Sequence, residues 1–134
     1  MRILYVEDNP INRLVVKEML RAGGVEMTEA EDGYAGLQMI QMYDFDLILM
    51  DLRMPHMDGM TAIRHIRARE DHKAKTPVIV ITADDGPAID SECLAAGADR
   101  VLRKPVSMTN LFEAIAAALP GTSEAQAMLA RRSA

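Results

Sequence analysis

Three acids, a hydroxyl and an amine stand directly behind apolar runs in this sequence. Ile3-Leu4-Tyr5-Val6 is followed by Glu7-Asp8, and Leu47-Ile48-Leu49-Met50 by Asp51. Val78 to Ile81 is followed by Thr82, and Arg100 to Leu102 leads through Arg103 to Lys104-Pro105. Carboxylates gathered in one place repel, and at least one takes up a proton unless a cation intervenes. Oxygen ligands without Cys or His favour Mg²⁺ over zinc, and Mn²⁺ could take the same place. A carboxylate can also act as a nucleophile toward phosphorus. The transferring phosphoryl group then needs positive charge and donors on its oxygens. Lys104 supplies the charge, Thr82 the hydroxyl and the metal the rest. Taken singly, an Asp at a strand end is usually a turn former or a helix cap, and Thr82 or Lys104 is unremarkable. Four run ends carrying the whole set argue for a site.

The elements between these residues must bring them together. The apolar runs predict strands over Ile3–Val6, Val25–Ala30, Leu47–Met50, Val78–Ile81 and Arg100–Leu102. Helical spacing predicts helices over about Pro10–Ala22, Gly33–Tyr43, Gly59–Arg69, Ala88–Ala96 and Met108–Leu119, with Ser107 as an N-cap. Strands alternating with helices signify an α/β parallel sheet covered on both faces. The first, third and fourth runs lack alternation, as strands buried on both faces do. Val25–Ala30 alternates, with Glu26 and Thr28 outward, which suits an edge. Gly23-Gly24 and Gly97 mark helix ends. In such sheets ligands bind beyond the carboxyl ends of the strands, where Glu7, Asp8, Asp51, Thr82 and Lys104 all fall. A proline directly behind Lys104 is either a plain strand stop or a cis bond that fixes the lysine's direction, and residue type alone favours the stop.

With 134 residues the chain fits one domain, and 49% hydrophobic residues allow a real core. Only 4% are aromatic, so that core is aliphatic and methionine-rich. A net charge of −5 argues against a nucleic-acid surface. The basic cluster Arg64, His65, Arg67 and Arg69 reads as a solvated helix face. The single cysteine, Cys93, suits a reducing compartment and reads as a buried hydrophobe rather than a reactive thiol. No signal peptide or membrane-length apolar run is present, so we expect a soluble, cytoplasmic protein without membrane contact. Residues 1–119 form the expected domain, and 120–134 are a tail, read as a frayed helix or the start of a linker.

These residues resemble the receiver domain of two-component response regulators over about Arg2 to Leu119. The motifs are ILYVEDN at 3–9, LILMDLRMP at 47–55 leading to Met57-Asp58-Gly59, Ile81-Thr82-Ala83, Ala96-Gly97-Ala98-Asp99 and Lys104-Pro105. The resemblance implies a flavodoxin-like doubly wound (βα)5 sandwich with strand order 2-1-3-4-5. It implies that Asp51 accepts a phosphoryl group from a histidine kinase or histidine phosphotransfer protein, for a downstream effector to read, without enzymatic turnover. Glu7, Asp8, Asp51 and the main-chain carbonyl of Arg53 would hold Mg²⁺. Thr82 and Lys104 would contact the phosphoryl oxygens, with Asn9, Arg53, Pro55, Ala83, Asp84 and Pro105 at the rim. The bond before Pro105 would be cis.

Two departures stand out. The acidic pair is Glu7-Asp8 where many members carry two aspartates, and Val101 stands where many carry a mobile Tyr or Phe. Output would then run through the loop after Thr82 or through the first helix. Arg53 and Asp84, each two residues beyond a site residue, either pair across the mouth and slow loss of the phosphoryl group or remain solvated rim charges. Competing readings are a metal-dependent phosphohydrolase, a flavin- or nucleotide-binding module and a docking module that is never phosphorylated. The first lacks a second acid two residues after Asp51, and the second lacks a phosphate-binding loop after the first strand. The intact acidic set argues against the third. The Glu-Asp-Asn-Pro opening favours the receiver of a hybrid kinase over a stand-alone regulator.

Overall fold

A computed structural model describes residues 1–131. Five strands, β1 (Ile3–Val6), β2 (Met27–Ala30), β3 (Leu47–Met50), β4 (Val78–Thr82) and β5 (Arg100–Arg103), form one parallel sheet in the order β2-β1-β3-β4-β5. Around it lie α1 (Pro10–Ala22), α2 (Gly33–Met42), α3 (Gly59–Arg67), α4 (Ile89–Ala96), α5 (Met108–Ala118) and α6 (Ser123–Arg131). The three non-alternating runs are the three central strands, and every residue in them is buried.

Alternation along each strand divides the core in two. Leu4, Val6, Ile48, Met50, Val78 and Val80 face Ile40, Ile63, Ile66 and Cys93 on one side. Ile3, Tyr5, Leu47, Leu49, Ile79 and Ile81 face Val16, Leu20, Leu111, Phe112 and Ile115 on the other. Cys93 is fully buried, and burial pushes its thiol up, away from the reactive thiolate. The parallel register pairs Val6 with both Ala30 and Met50. Glu7 and Asp51 therefore leave the sheet side by side.

Several boundaries differ from the sequence reading. β2 begins at Met27, because the Val25 amide is taken by the Leu20 carbonyl at the end of α1. Thr82 lies inside β4, not beyond it, because it pairs with Arg103 and its carbonyl accepts from the Lys104 amide at 2.8 Å. α3 stops at Arg67, and an unforeseen single turn of 3-10 helix at His72–Lys75 follows, capped by Asp71. Ser107 does cap α5, accepting from the Asn110 amide. Gly97 ends α4 with φ of 119°, a left-handed conformation that glycine adopts without steric cost.

The tail over Ser123–Arg131 is a helix packed on α5, with Ala125 and Met128 fully buried and Glu124 paired with the Met1 ammonium. Arg132, Ser133 and Ala134 lie outside the described residues. Arg67 departs from the reading of a solvated face: its guanidinium donates to the carbonyls of Gly97, Ala74 and Thr76 and pairs with Asp99. No helix among the described residues is long and apolar enough to cross a membrane.

Candidate functional site

Glu7, Asp8 and Asp51 each offer an oxygen within 4.8 Å of the others at the carboxyl ends of β1 and β3. Glu7 is fully buried and Asp51 is 3% exposed, whereas Asp8 is exposed. Backbone bonds fix the two buried acids. The Glu7 amide donates to Ala30 and the Asp51 amide to Val6, both at 3.0 Å. Behind Asp51, the chain passes so close to Gly59 that a Cβ there would stand 2.1 Å from the Asp51 carbonyl oxygen. Asp58 caps α3 through the Thr61 amide and anchors this turn. His56, within it, has a φ of 70°.

Lys104 reaches both buried acids, with Nζ 2.7 Å from Glu7 Oε1 and 3.3 Å from Asp51 Oδ1. The bond between Lys104 and Pro105 is cis, so the plain-stop reading gives way to the alternative. Residue type does not settle this, because an X–Pro bond prefers trans by only ~0.5–1 kcal/mol and tertiary context decides. Thr82 is fully buried, and its hydroxyl accepts from the Asp84 amide at 3.0 Å.

One lysine does not neutralise three carboxylates. Burial first, and then the hydrogen bond and charge of Glu7, push Asp51 up to about 7. Burial would also raise Glu7, but hydrogen bonds with Asp51, Lys104 and Asn12 outweigh it and hold Glu7 down at about 2. Burial and Glu7 raise Asp8 as well. Lys104 is raised despite its burial, because both acids stabilise its charge. Burial, with Glu7 next, also raises the Tyr5 hydroxyl.

A metal fits this set. Among the described residues no amide, ammonium or hydroxyl donor reaches the buried Glu7 Oε2, in a cluster of oxygen ligands that share too little positive charge. Groups of that kind are compensated by a cation, and all-oxygen ligands suit Mg²⁺.

The rim residues fall as follows. Asn9 caps α1, its Oδ1 accepting from the Ile11 and Asn12 amides. Pro55, Ala83 and Pro105 are exposed at the loops. Arg53 and Asp84 do pair across the mouth, closing the rim between β3 and β4. Burial supports Arg53 little, since its side chain is 80% exposed. The sequence reading missed Tyr5, Asn12 and Arg13. The Tyr5 hydroxyl lies 3.5 Å and the Asn12 amide 2.7 Å from Glu7 Oε1, and Arg13 donates to the Glu7 carbonyl at 2.7 Å. A polar Asn at the start of an apolar helix face, five residues past Glu7, was the available signal.

Comparison with known proteins gives a consistent picture. Residues 3–116 match the family described as response regulator receiver domain. The sensor protein GacS of Pseudomonas syringae is 38% identical over 116 residues, covering 85% of this chain but 13% of that protein. The two-component response regulator ORR41 of Oryza sativa subsp. japonica is 40% identical over 114 residues, covering 82% of this chain and 87% of its own. Among solved structures, the receiver domain of a Pseudomonas aeruginosa sensor histidine kinase, with magnesium coordinated in its active-site cleft, superposes with a TM-score of 0.79 at 37% identity. It covers 87% of this chain and 94% of that one.

Proposed function

The chain belongs to the response regulator receiver family, and from that premise we propose that it takes a phosphoryl group onto Asp51 from a phosphohistidine donor. The observation that carries this reading is a nearly inaccessible Asp51 touched by a lysine and flanked by two further acids. The Asp51 carboxylate, which would be ionised with a cation beside it, attacks phosphorus. The P–N bond breaks, and its electron pair returns to the donor imidazole, which leaves neutral because its other nitrogen carries the proton. Lys104, released from Asp51, moves its charge to the phosphoryl oxygens. The Thr82 hydroxyl, which now accepts from Asp84, has a proton to donate to them.

Glu7, Asp8, Asp51 and the Arg53 carbonyl would hold Mg²⁺, or Mn²⁺, which would supply charge neutralisation to the transferring group. The orphaned Glu7 oxygen supports that ligand set, and so does the magnesium in the Pseudomonas aeruginosa relative. Ile11, Leu14 and Val15 stand exposed on α1, and a groove over Asn12, Val15, Lys104 and Pro105 joins that helix to the site. This apolar approach suits a protein donor, a histidine kinase or phosphotransfer protein, and the acidic chain suits no nucleic-acid partner. Residue 53, where a phosphohydrolase would carry its second acid, is an arginine already paired with Asp84, which favours storage of the phosphoryl group over turnover. With Val101 at the usual aromatic position, output runs through the loop at Ala83–Gly86 or through α1 toward an effector. The relatives point to a hybrid kinase or a small regulator as the setting.

The test is intact mass after incubation with acetyl phosphate and Mg²⁺. Wild type gains one phosphoryl group and Asp51→Asn gains none; equal labelling of the two would end the proposal.

A further inference from the structure

Glu7 is one methylene longer than an aspartate and has one more rotatable bond to fix before it can hold a cation. Its surroundings supply the brace. The Asn9 cap sets the first turn of α1, which places the Asn12 amide 2.7 Å from Glu7 Oε1 and the Arg13 guanidinium 2.7 Å from the Glu7 carbonyl. A carboxylate only accepts, so the NH2 of Asn12 is the group that faces it. Lys104 Nζ donates to the same oxygen, and the Tyr5 hydroxyl stands 3.5 Å from it. Among the described residues the amide, ammonium and phenol groups that face this carboxylate all lie on Oε1, and buried Oε2 receives none of them.

We propose that Asn12 is a positioning residue for the cation site, tying one Glu7 oxygen to α1 so that the other is presented to the metal; this rests on the metal reading above. Lys104 cannot do the work alone. It is shared with Asp51, and when it turns toward a phosphoryl group Asn12 remains as the close donor on Oε1. The brace also ties the acidic site to α1, the helix that carries the exposed Ile11, Leu14 and Val15.

The test is calorimetric titration of the full chain with Mg²⁺, beside urea unfolding in chelator. Asn12→Leu, which keeps the volume and removes the donor, weakens Mg²⁺ binding on the order of tenfold, the usual effect of losing a partner that orients a ligand. Asn12→Gln, which keeps a donor, recovers part of the loss. In Glu7→Asp the shorter carboxylate no longer reaches Asn12, and adding Asn12→Leu then changes nothing further. A purely structural role would lower the urea midpoint with the Mg²⁺ affinity unchanged, and would overturn the proposal. Should Asn12→Leu not fold, Asn12→Ala carries the same expectation. Wild type binding with unaltered variants overturns this inference alone, whereas a wild type that binds no Mg²⁺ overturns the metal reading with it.

Discussion

Asp51→Asn removes a charge that the metal-free fold tolerates poorly, and the consequence for stability can be worked out. The carboxyl rises from 3.8 to about 7 on folding, because of burial and then Glu7. About three pH units at ~1.36 kcal/mol each bound the cost of the ionised form at about 4 kcal/mol. The sign follows from the direction. Between pH 3.8 and about 7 the folded state holds a proton that the unfolded chain has lost, so stability falls as pH rises through that window. Roughly a third of the cost is already present at pH 5, and about 2–3 kcal/mol more accrues by pH 8. Glu7, held at about 2 instead of 4.5, contributes in the opposite sense. Its contribution is complete above pH 5 and does not change across the interval. Urea unfolding of wild type and Asp51→Asn in chelator, at pH 5 and pH 8, measures the difference. The Asn variant is the more stable at pH 8, and its advantage shrinks by about 2 kcal/mol at pH 5. Saturating Mg²⁺ closes the gap by stabilising wild type. A gap that does not change with pH, or a less stable Asn variant at pH 8, would refute the reasoning.

Three further outcomes are expected. Arg53→Ala opens the pair with Asp84 and speeds loss of the phosphoryl group about two- to fivefold; an unchanged decay rate removes the proposed role. Arg67→Leu leaves the Gly97, Ala74 and Thr76 carbonyls without their donor and destabilises the fold by about 2–4 kcal/mol in urea. Gly59→Ala pushes on the Asp51 carbonyl, so it lowers labelling by acetyl phosphate and costs about 1–3 kcal/mol of stability; normal labelling at normal stability would contradict the close approach.

The sheet and the acidic set were legible because burial on both faces leaves a plain mark in the sequence. Runs such as LILM at 47–50 have nowhere to sit except a covered parallel strand, and the residue after each run must emerge at one rim. The edge strand was less clear, because Val25 is apolar yet its amide closes the end of α1. Arg67 was misread because a long side chain on an exposed helix face can turn inward to three carbonyls of two other segments, and spacing carries no trace of that. Asn12 was missed for a related reason: its partner lies across the turn joining β1 and α1, and only the Asn9 cap sets their separation. The cis bond before Pro105 and the helix over Ser123–Arg131 likewise depend on what the rest of the fold packs around them.

The central claim is that the phosphoryl group resides on Asp51. Reduction of the labelled protein with borohydride converts an aspartyl phosphate to homoserine, and peptide mass mapping then locates the modified residue. Homoserine at position 51, dependent on both Mg²⁺ and acetyl phosphate, is the predicted result. Homoserine at another aspartate, or none in a protein whose intact mass shows the added group, would contradict the account.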